Sequence, residues 1–453
     1  MGPLFLISTR PSVSSNAIWR CWTRAGERLA SVKFSRFKTI SPVKTVWLSF
    51  AAKAVVTVPP AHAVRRCIFS AVSDVFIVSA VRTPSGRSRG GLSELHPADL
   101  GAVVLREAVE RAGVPPEAVD DVILGCVLQI GSQSANVARN AWLSAGLPES
   151  VPAVTVDRQC GSSQQAISFA AQGVAAGAYD IVVAGGVEVL SLITLNSAWE
   201  LGPQLGFRLP WDGEGWRERY GGEEMHQFHA GEEIARRWQV TRADMEALAL
   251  DSHARAAAAW DDGRFAEEVV SVGDAGQDEC VRRDLTAEKL AAQSPLREGY
   301  RLTGGVSSKL ADGAAALVLA SGDAVKRHGL TPLARIHTAV AAGSDPVLML
   351  TGPIPATAKV LDRAGLGVGD IDLFECNEAF ASVVLAWARE TGVPLERTNV
   401  NGGAIALGHA LGATGARIMT TLVHELRRQG GRYGLQTICE GGGLANATIV
   451  EAV

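Results

Sequence analysis

From residue 75 onward the chain alternates short apolar runs with longer Ala-rich stretches, and this alternation limits the fold more than any other feature. The short runs are 75–81, 122–124, 153–156, 181–184, 334–340, 371–375, 436–439 and 447–451. The longer ones include 97–112, 162–176, 356–364, 379–390 and 414–429. Strand-length and helix-length segments in alternation predict an α/β fold in which helices cover sheets. A weak internal repeat suggests two related halves. Arg111-Ala112-Gly113 leads through Asp120-Asp121 to Val122 and Cys126, and Arg363-Ala364-Gly365 leads through Asp370 to Ile371 and Cys376. The halves are expected at 72–195 and 306–453.

Residues 196–305 have a different character, with five tryptophans (Trp199, Trp211, Trp216, Trp238, Trp260) and many charges. Amphipathic helices are predicted near 231–238 and over 242–261, the second opening on Thr241-Arg242-Ala243-Asp244, which has the form of a capping box. This stretch is expected to be a loop domain inserted between the halves. Residues 1–71 stand apart. They hold eleven Lys+Arg and a single acid, Glu27, and four of the eight lysines fall in the first 53 residues. Two readings fit: an organellar transit segment, or translated upstream sequence preceding a start near Val72. Either way the fold is expected to begin at 72.

Charge and composition exclude several classes. The remaining 382 residues carry 32 basic and 46 acidic side chains, a net of −14. A nucleic-acid binder needs a basic footprint, so no nucleic-acid partner is expected. No apolar run reaches the roughly 18 residues of a membrane span. Seven scattered cysteines without a CxxC pair favour reduced thiols and a cytoplasmic setting over a disulfide framework; a mitochondrial address follows only if residues 1–71 are a true transit segment.

Four motifs carry chemistry. In Thr155-Val156-Asp157-Arg158-Gln159-Cys160-Gly161-Ser162-Ser163 a strand runs into a sharp turn and a helix start, which places Cys160 where free amides and the helix dipole lower a thiol pKa and serve an oxyanion. A lone cysteine is more often structural, but the polar turn speaks against that here. His409 sits at the centre of a glycine cluster, with five glycines in residues 402–415, where it can act as base to a cysteine. Cys439-Glu440-Gly441-Gly442-Gly443 supplies a second thiol with exposed backbone donors. Glu375-Cys376-Asn377-Glu378-Ala379-Phe380 marks a strand-to-helix junction in which Asn377 caps the helix or orients a water. The glycine string does not fit the dinucleotide fingerprint.

Taken together and in order, these motifs resemble the thiolase family (acetyl-CoA C-acyltransferases), over essentially all of 73–453. Val81-Arg82-Thr83-Pro84, Gly185-Gly186-Val187-Glu188 and Asp312-Gly313-Ala314 also match. The wording of Asp157–Gln165 and Gly352–Thr357 is similar to a bacterial degradative subgroup. Ala410 stands where the family usually has proline, and Val187 where methionine is commoner.

The resemblance implies duplicated α/β halves layered α-β-α-β-α and thiolytic cleavage of a 3-ketoacyl-CoA to acetyl-CoA and a shortened acyl-CoA. It assigns Cys160 as the acylated nucleophile, His409 as its activator and Cys439 as the proton carrier. Asn377 holds a water of one oxyanion hole, and the N–H groups of Cys160 and Gly441 form the other. Ser308 and Phe380 touch the pantetheine arm of CoA. No permanently bound cofactor or metal is implied; CoA enters as co-substrate. A homodimer or homotetramer and a β-oxidation enzyme partner are expected. The rivals are a decarboxylating ketoacyl synthase, which pairs a cysteine with two histidines, and a catalytically silent acyl-CoA-binding or scaffold protein. The loop 211–228 is expected to shape acyl-chain choice.

Overall fold

The computed structural model describes residues 18–22, 28–33, 73–221 and 226–453. The chain divides into two units, residues 1–71 and 72–453. In the first, β1 (Ile18–Trp22) and β2 (Arg28–Lys33) form an antiparallel pair with Ile18 opposite Lys33. The rest of the expected extension, and with it both readings of its origin, lies outside the described residues.

The second unit opens with β3 (Val75–Arg82), β4 (Gly86–Arg87), α1 (Pro97–Ala112), β5 (Asp121–Gly125), α2 (Val137–Ser144), β6 (Ala153–Val156), α3 (Ser162–Ala175) and β7 (Ile181–Val189). The inserted region supplies α4 (Ser197–Gln204), α5 (Glu214–Tyr220), α6 (Gln227–Arg237), α7 (Arg242–Asp261) and α8 (Ala287–Ala291). Then come β8 (Ala311–Ser321), α9 (Gly322–His328), β9 (Ala334–Gly343), α10 (Pro353–Ala364), β10 (Leu373–Cys376), α11 (Ala381–Thr391), α12 (Ala404–Leu407), α13 (Leu411–Gln429), β11 (Tyr433–Glu440) and β12 (Leu444–Ala452).

The internal repeat is a repeat of topology. The first half runs β3-β8-β7-β5-β6 across the sheet, antiparallel for the first two pairings and parallel for the last two. The second runs β9-β12-β11-β10 with the same senses, and a parallel bridge from Phe374 to Thr398 takes the place of a fifth strand. β3 and β9 join the halves through Phe76–Arg335 and Ile77–Ala334. α1 and α10 are the repeated helices. Each ends on a left-handed glycine, Gly113 and Gly365, which returns the chain toward β5 and β10.

The Ala-rich run 311–321 lies outside the runs read above as strands, and it is the longest strand among the described residues. It is buried at every position, so it lacks the alternation that marks a half-exposed strand. It also lies between β3 and β7, so the sheet that begins with β3 is completed only at Ser321.

The layers follow from which faces are apolar. α1 and α2 cover one outer face, with Val104 and Leu105 against Val183 and Val318. α3 and α13 lie between the half-sheets, where Ile167, Val174, Met419 and Leu422 meet Leu319 and Val450. α10 and α11 cover the far face, with Val360 and Trp387 against Leu435 and Ile449. The order is therefore α-β-α-β-α.

The inserted helices α6 and α7 pack on α11 through Ile234, Met245 and Val383. α7 carries the predicted capping box: Thr241 Oγ1 accepts from the Asp244 N–H at 3.1 Å, and Asp244 Oδ2 accepts from the Thr241 N–H at 2.9 Å. Fully buried Arg82 of β3 pairs with Glu268 at 2.6 Å and Asp278 at 2.8 Å, pinning the insertion to the sheet.

Candidate active site

β6 delivers the chain to a tightly tied turn. Gln159 takes φ 49°, Asp157 accepts from its N–H at 2.7 Å, and Ser162 Oγ donates to Gln159 O at 2.6 Å while accepting from the Arg158 N–H at 2.8 Å. α3 then starts at Ser162 with Gly161 at its cap, so Cys160 stands one residue outside the cap. The expectation of a lowered thiol pKa is not met. Burial first, and the Glu440 carboxylate second, push Cys160 up to about 12, against the pull of its own N–H and the Gly441 N–H. In the free protein Cys160 is a thiol, and a base must take its proton.

His409 suits that task. It is buried, and burial followed by the Arg417 charge lowers it to about 3, so the ring is neutral. Its Nδ1 lies 2.7 Å from Thr414 Oγ1, and that hydroxyl donates to Ala410 O at 2.9 Å. The hydroxyl proton is thus spent, so Nδ1 carries the ring proton and Nε2 offers a lone pair. Nε2 is buried with no protein partner.

The second thiol lies on β11. Cys439 is fully buried and raised well above the usual thiol range, by burial first and by Cys160 next, so the two sulfurs share one electrostatic field. Asn377 follows the last residue of β10, and its N–H donates to Thr437 O at 3.1 Å. Both polar atoms of its side chain are buried and without partners. α11 begins four residues later with Phe380 at its cap and no side-chain cap bond, so Asn377 does not cap it. An orphaned buried amide is the signature of a group waiting for water or ligand.

The segment 307–310 stitches these loops together. The Ser308 N–H donates to Ala379 O at 3.0 Å, Ser307 bridges Phe380, and the His409 N–H donates to Lys309 O at 2.7 Å. Ser308 and Phe380 thus fall at one place, beside both the Asn377 and the His409 loops. Phe380 meets Phe228 edge-on with centroids 6.0 Å apart. On the other side Leu411, two residues past His409, packs with Leu128 and Leu190 against Cys160, Ile193 and Leu195. Of the loop expected to shape chain choice, residues 222–225 lie outside the described residues.

Two supports carried no task in the sequence reading. Thr414 fixes the His409 tautomer. Glu188 is a buried carboxylate that accepts from the Val127, Leu128 and Gly412 N–H groups and from Gln133 Nε2, at 2.7 to 3.1 Å, and so clamps the start of α13 to the loop after β5. Its motif, Gly185-Gly186-Val187-Glu188, was the available signal.

These loops thus carry a protonated thiol, a second thiol in its field, a histidine lone pair and an orphaned amide, the kinds of group that acyl transfer through cysteine requires. The descriptions Thiolase, N-terminal domain, and Thiolase, C-terminal domain, match residues 75–323 and 330–452. The chain is 52% identical over 385 residues to steroid 3-ketoacyl-CoA thiolase FadA6 of Mycobacterium tuberculosis, covering 84% of this chain and 94% of that protein. It is 45% identical over 404 residues to β-ketoadipyl-CoA thiolase of Pseudomonas aeruginosa, covering 84% and 99%. The crystal structure of the Bacillus anthracis acetyl-CoA acetyltransferase superimposes with TM-score 0.76 at 38% identity, covering 85% of this chain and all of that one. The chain belongs to the thiolase family. It is an acyltransferase, with CoA as its co-substrate.

Proposed function

We propose that the protein cleaves a 3-ketoacyl-CoA by thiolysis through an acyl-enzyme on Cys160, and that its substrate is steroid-derived. In this reading His409 Nε2 takes the Cys160 proton and the thiolate attacks the 3-keto carbon. The C–C bond breaks, and the enolate of acetyl-CoA takes a proton from Cys439. Cys439, now a thiolate, takes the proton of the incoming CoA thiol, whose sulfur attacks the acyl group; Cys160 leaves as a thiolate and recovers its proton from His409. Charge on the oxygens is met by the N–H groups of Cys160 and Gly441, and by a water on Asn377 together with His409. Ser308 and Phe380 guide the pantetheine arm.

The observation that supports this is the set of buried, partnerless polar atoms, Asn377 Oδ1 and Nδ2 and His409 Nε2, with Leu411 of the His409 loop packed against Cys160. The steroid assignment rests on the name of the 52% identical relative and on the branched apolar wall of Leu128, Leu190, Ile193, Leu195 and Leu411 beside Cys160. Cys126, Cys160, Cys280, Cys376 and Cys439 are free thiols, which suits a reducing cytoplasm. Among the described residues no helix is long and apolar enough to cross a membrane. A homodimer is proposed from the open edge of β6.

Intact-protein mass spectrometry tests the chemistry. Exposed to steroid-derived, β-ketoadipyl and straight-chain 3-ketoacyl-CoA esters without free CoA, the protein gains one acyl adduct, and Cys160→Ala gains none. The steroid-derived ester loads fastest. Equal loading of all esters rejects the steroid assignment, and no adduct from any of them rejects the acyl-enzyme.

A further inference from the structure

Glu440 ends β11 between two residues of the site, Cys439 and Gly441. Side chains alternate along a strand, so Glu440 points to the face opposite Cys439. There it lies directly over the residue after the nucleophile. A Cβ built on Gly161 would stand 1.9 Å from Glu440 Oε1. The side chain is fully buried, and neither carboxyl oxygen has a hydrogen-bond partner. The same is true of the side chain of Asn446, which lies opposite Ile438 on β12. A buried carboxyl whose oxygens complete no hydrogen bond is costly even with the Asn446 N–H favouring its charged form, and it is held behind the thiol proposed to start the reaction.

The titratable and charged groups that face it are Cys160, Asp157 and Arg158 from the turn before α3, and Cys439 on its own strand. Arg158 is the only cation among them and forms no ion pair among the described residues. Among these charged groups Glu440 acts most strongly on the Cys160 thiol, ahead of Asp157, on top of the effect of burial.

From this geometry we infer that Glu440 is a positioning residue for the reaction, a third ionisable group whose charge decides when Cys160 gives up its proton. The inference rests on Cys160 being the nucleophile. Its sign is fixed by electrostatics: a carboxylate opposes a thiolate, whereas a neutral carboxyl does not. Burial holds the Glu440 carboxyl up to about 8, with Arg158 pulling the other way. Below that pH the thiol ionises unopposed. Above it each charge hinders the other, so the two groups titrate as a coupled pair.

The test is the pH profile of Cys160 alkylation by iodoacetamide, read by peptide mass spectrometry so that Cys160 is followed apart from Cys439. In the parent protein the rate rises with pH, flattens above about pH 8 where the carboxylate forms, and rises again. Glu440→Gln removes the charge and keeps the shape; its rate rises in one step and, in the plateau range, exceeds the parent rate on the order of tenfold, the effect of about one unit in the thiol pKa. Glu440→Asp keeps the charge and keeps the plateau. A parent profile that rises in a single step, or a folded Glu440→Gln whose profile superimposes on the parent's, overturns the inference. If Glu440→Gln fails to fold, the parent plateau and Glu440→Asp still decide it. Alkylation needs no substrate, so failure here is distinct from failure to form the acyl adduct.

Discussion

Asn377 owes its place to the strand pair and its proposed role to what the pair leaves over. Its backbone N–H is spent on Thr437 O, so the residue is fixed, while its buried amide is aimed at no protein group. In the proposed mechanism, replacing it by alanine removes one donor system of an oxyanion hole. Asn377→Ala is expected to lower kcat by about 10²–10³-fold with a much smaller change in KM. Steady-state kinetics decide it, and a loss confined to KM would move Asn377 from the oxyanion hole to substrate binding. At this scale the sequence was informative where a motif is local. Cys160, His409, Cys439 and Asn377 each stand inside a short run with its own chemical logic. It was uninformative where the support is distant. Glu188 meets the Gly412 N–H across 224 positions, and Glu440 meets Gly161 across the gap between the halves. The lowered thiol pKa expected of Cys160 failed for the same reason, since the burial and the carboxylate that raise it come from elsewhere in the chain.

Between elements, the site depends on how closely α3 and α13 approach. Gly415 of α13 faces the start of α3, and a Cβ there would lie 2.3 Å from the Gln164 backbone nitrogen. Helix propensity alone favours Ala over Gly by about 1 kcal/mol at such a position. Packing reverses the sign, because the obstacle is backbone and cannot swing aside. Gly415→Ala is expected to destabilise the fold by about 3 kcal/mol or more, read as a lowered urea midpoint. A neutral or raised midpoint would mean that the two helices separate easily. The proposed nucleophile and base sit at the starts of these two helices, so activity should fall with the same substitution. Legibility at this scale tracked local signals. β6 and α1 appear at the predicted residues because turn and cap chemistry brackets them. β8 was hidden because a strand buried on both faces between two neighbours has no period to read, and its alanines resemble a helix.

Across the whole molecule, the duplicated topology leaves one open edge in the first half. β6 is the last strand of that sheet among the described residues, and Val154 on it is 42% exposed. The helices flanking it expose Leu143 and Phe169 to a similar degree. Proteins rarely leave an apolar edge strand bare, because its unpaired N–H and C=O groups recruit another strand. A second copy of this chain presents the same edge, and an antiparallel pairing about a two-fold axis satisfies both. β6 runs straight into Asp157–Cys160, so such pairing would also brace the turn that carries the nucleophile. Val154→Lys places a charge on the edge, a device by which natural sheets avoid pairing. Sedimentation velocity is expected to find the parent as a dimer, or as a tetramer built on it, and Val154→Lys as a monomer with reduced thiolysis. A monomeric parent would overturn the proposed assembly. An intact dimer in Val154→Lys would move the interface off β6. A monomeric variant with full activity would show that the Cys160 turn is braced by its own hydrogen bonds alone.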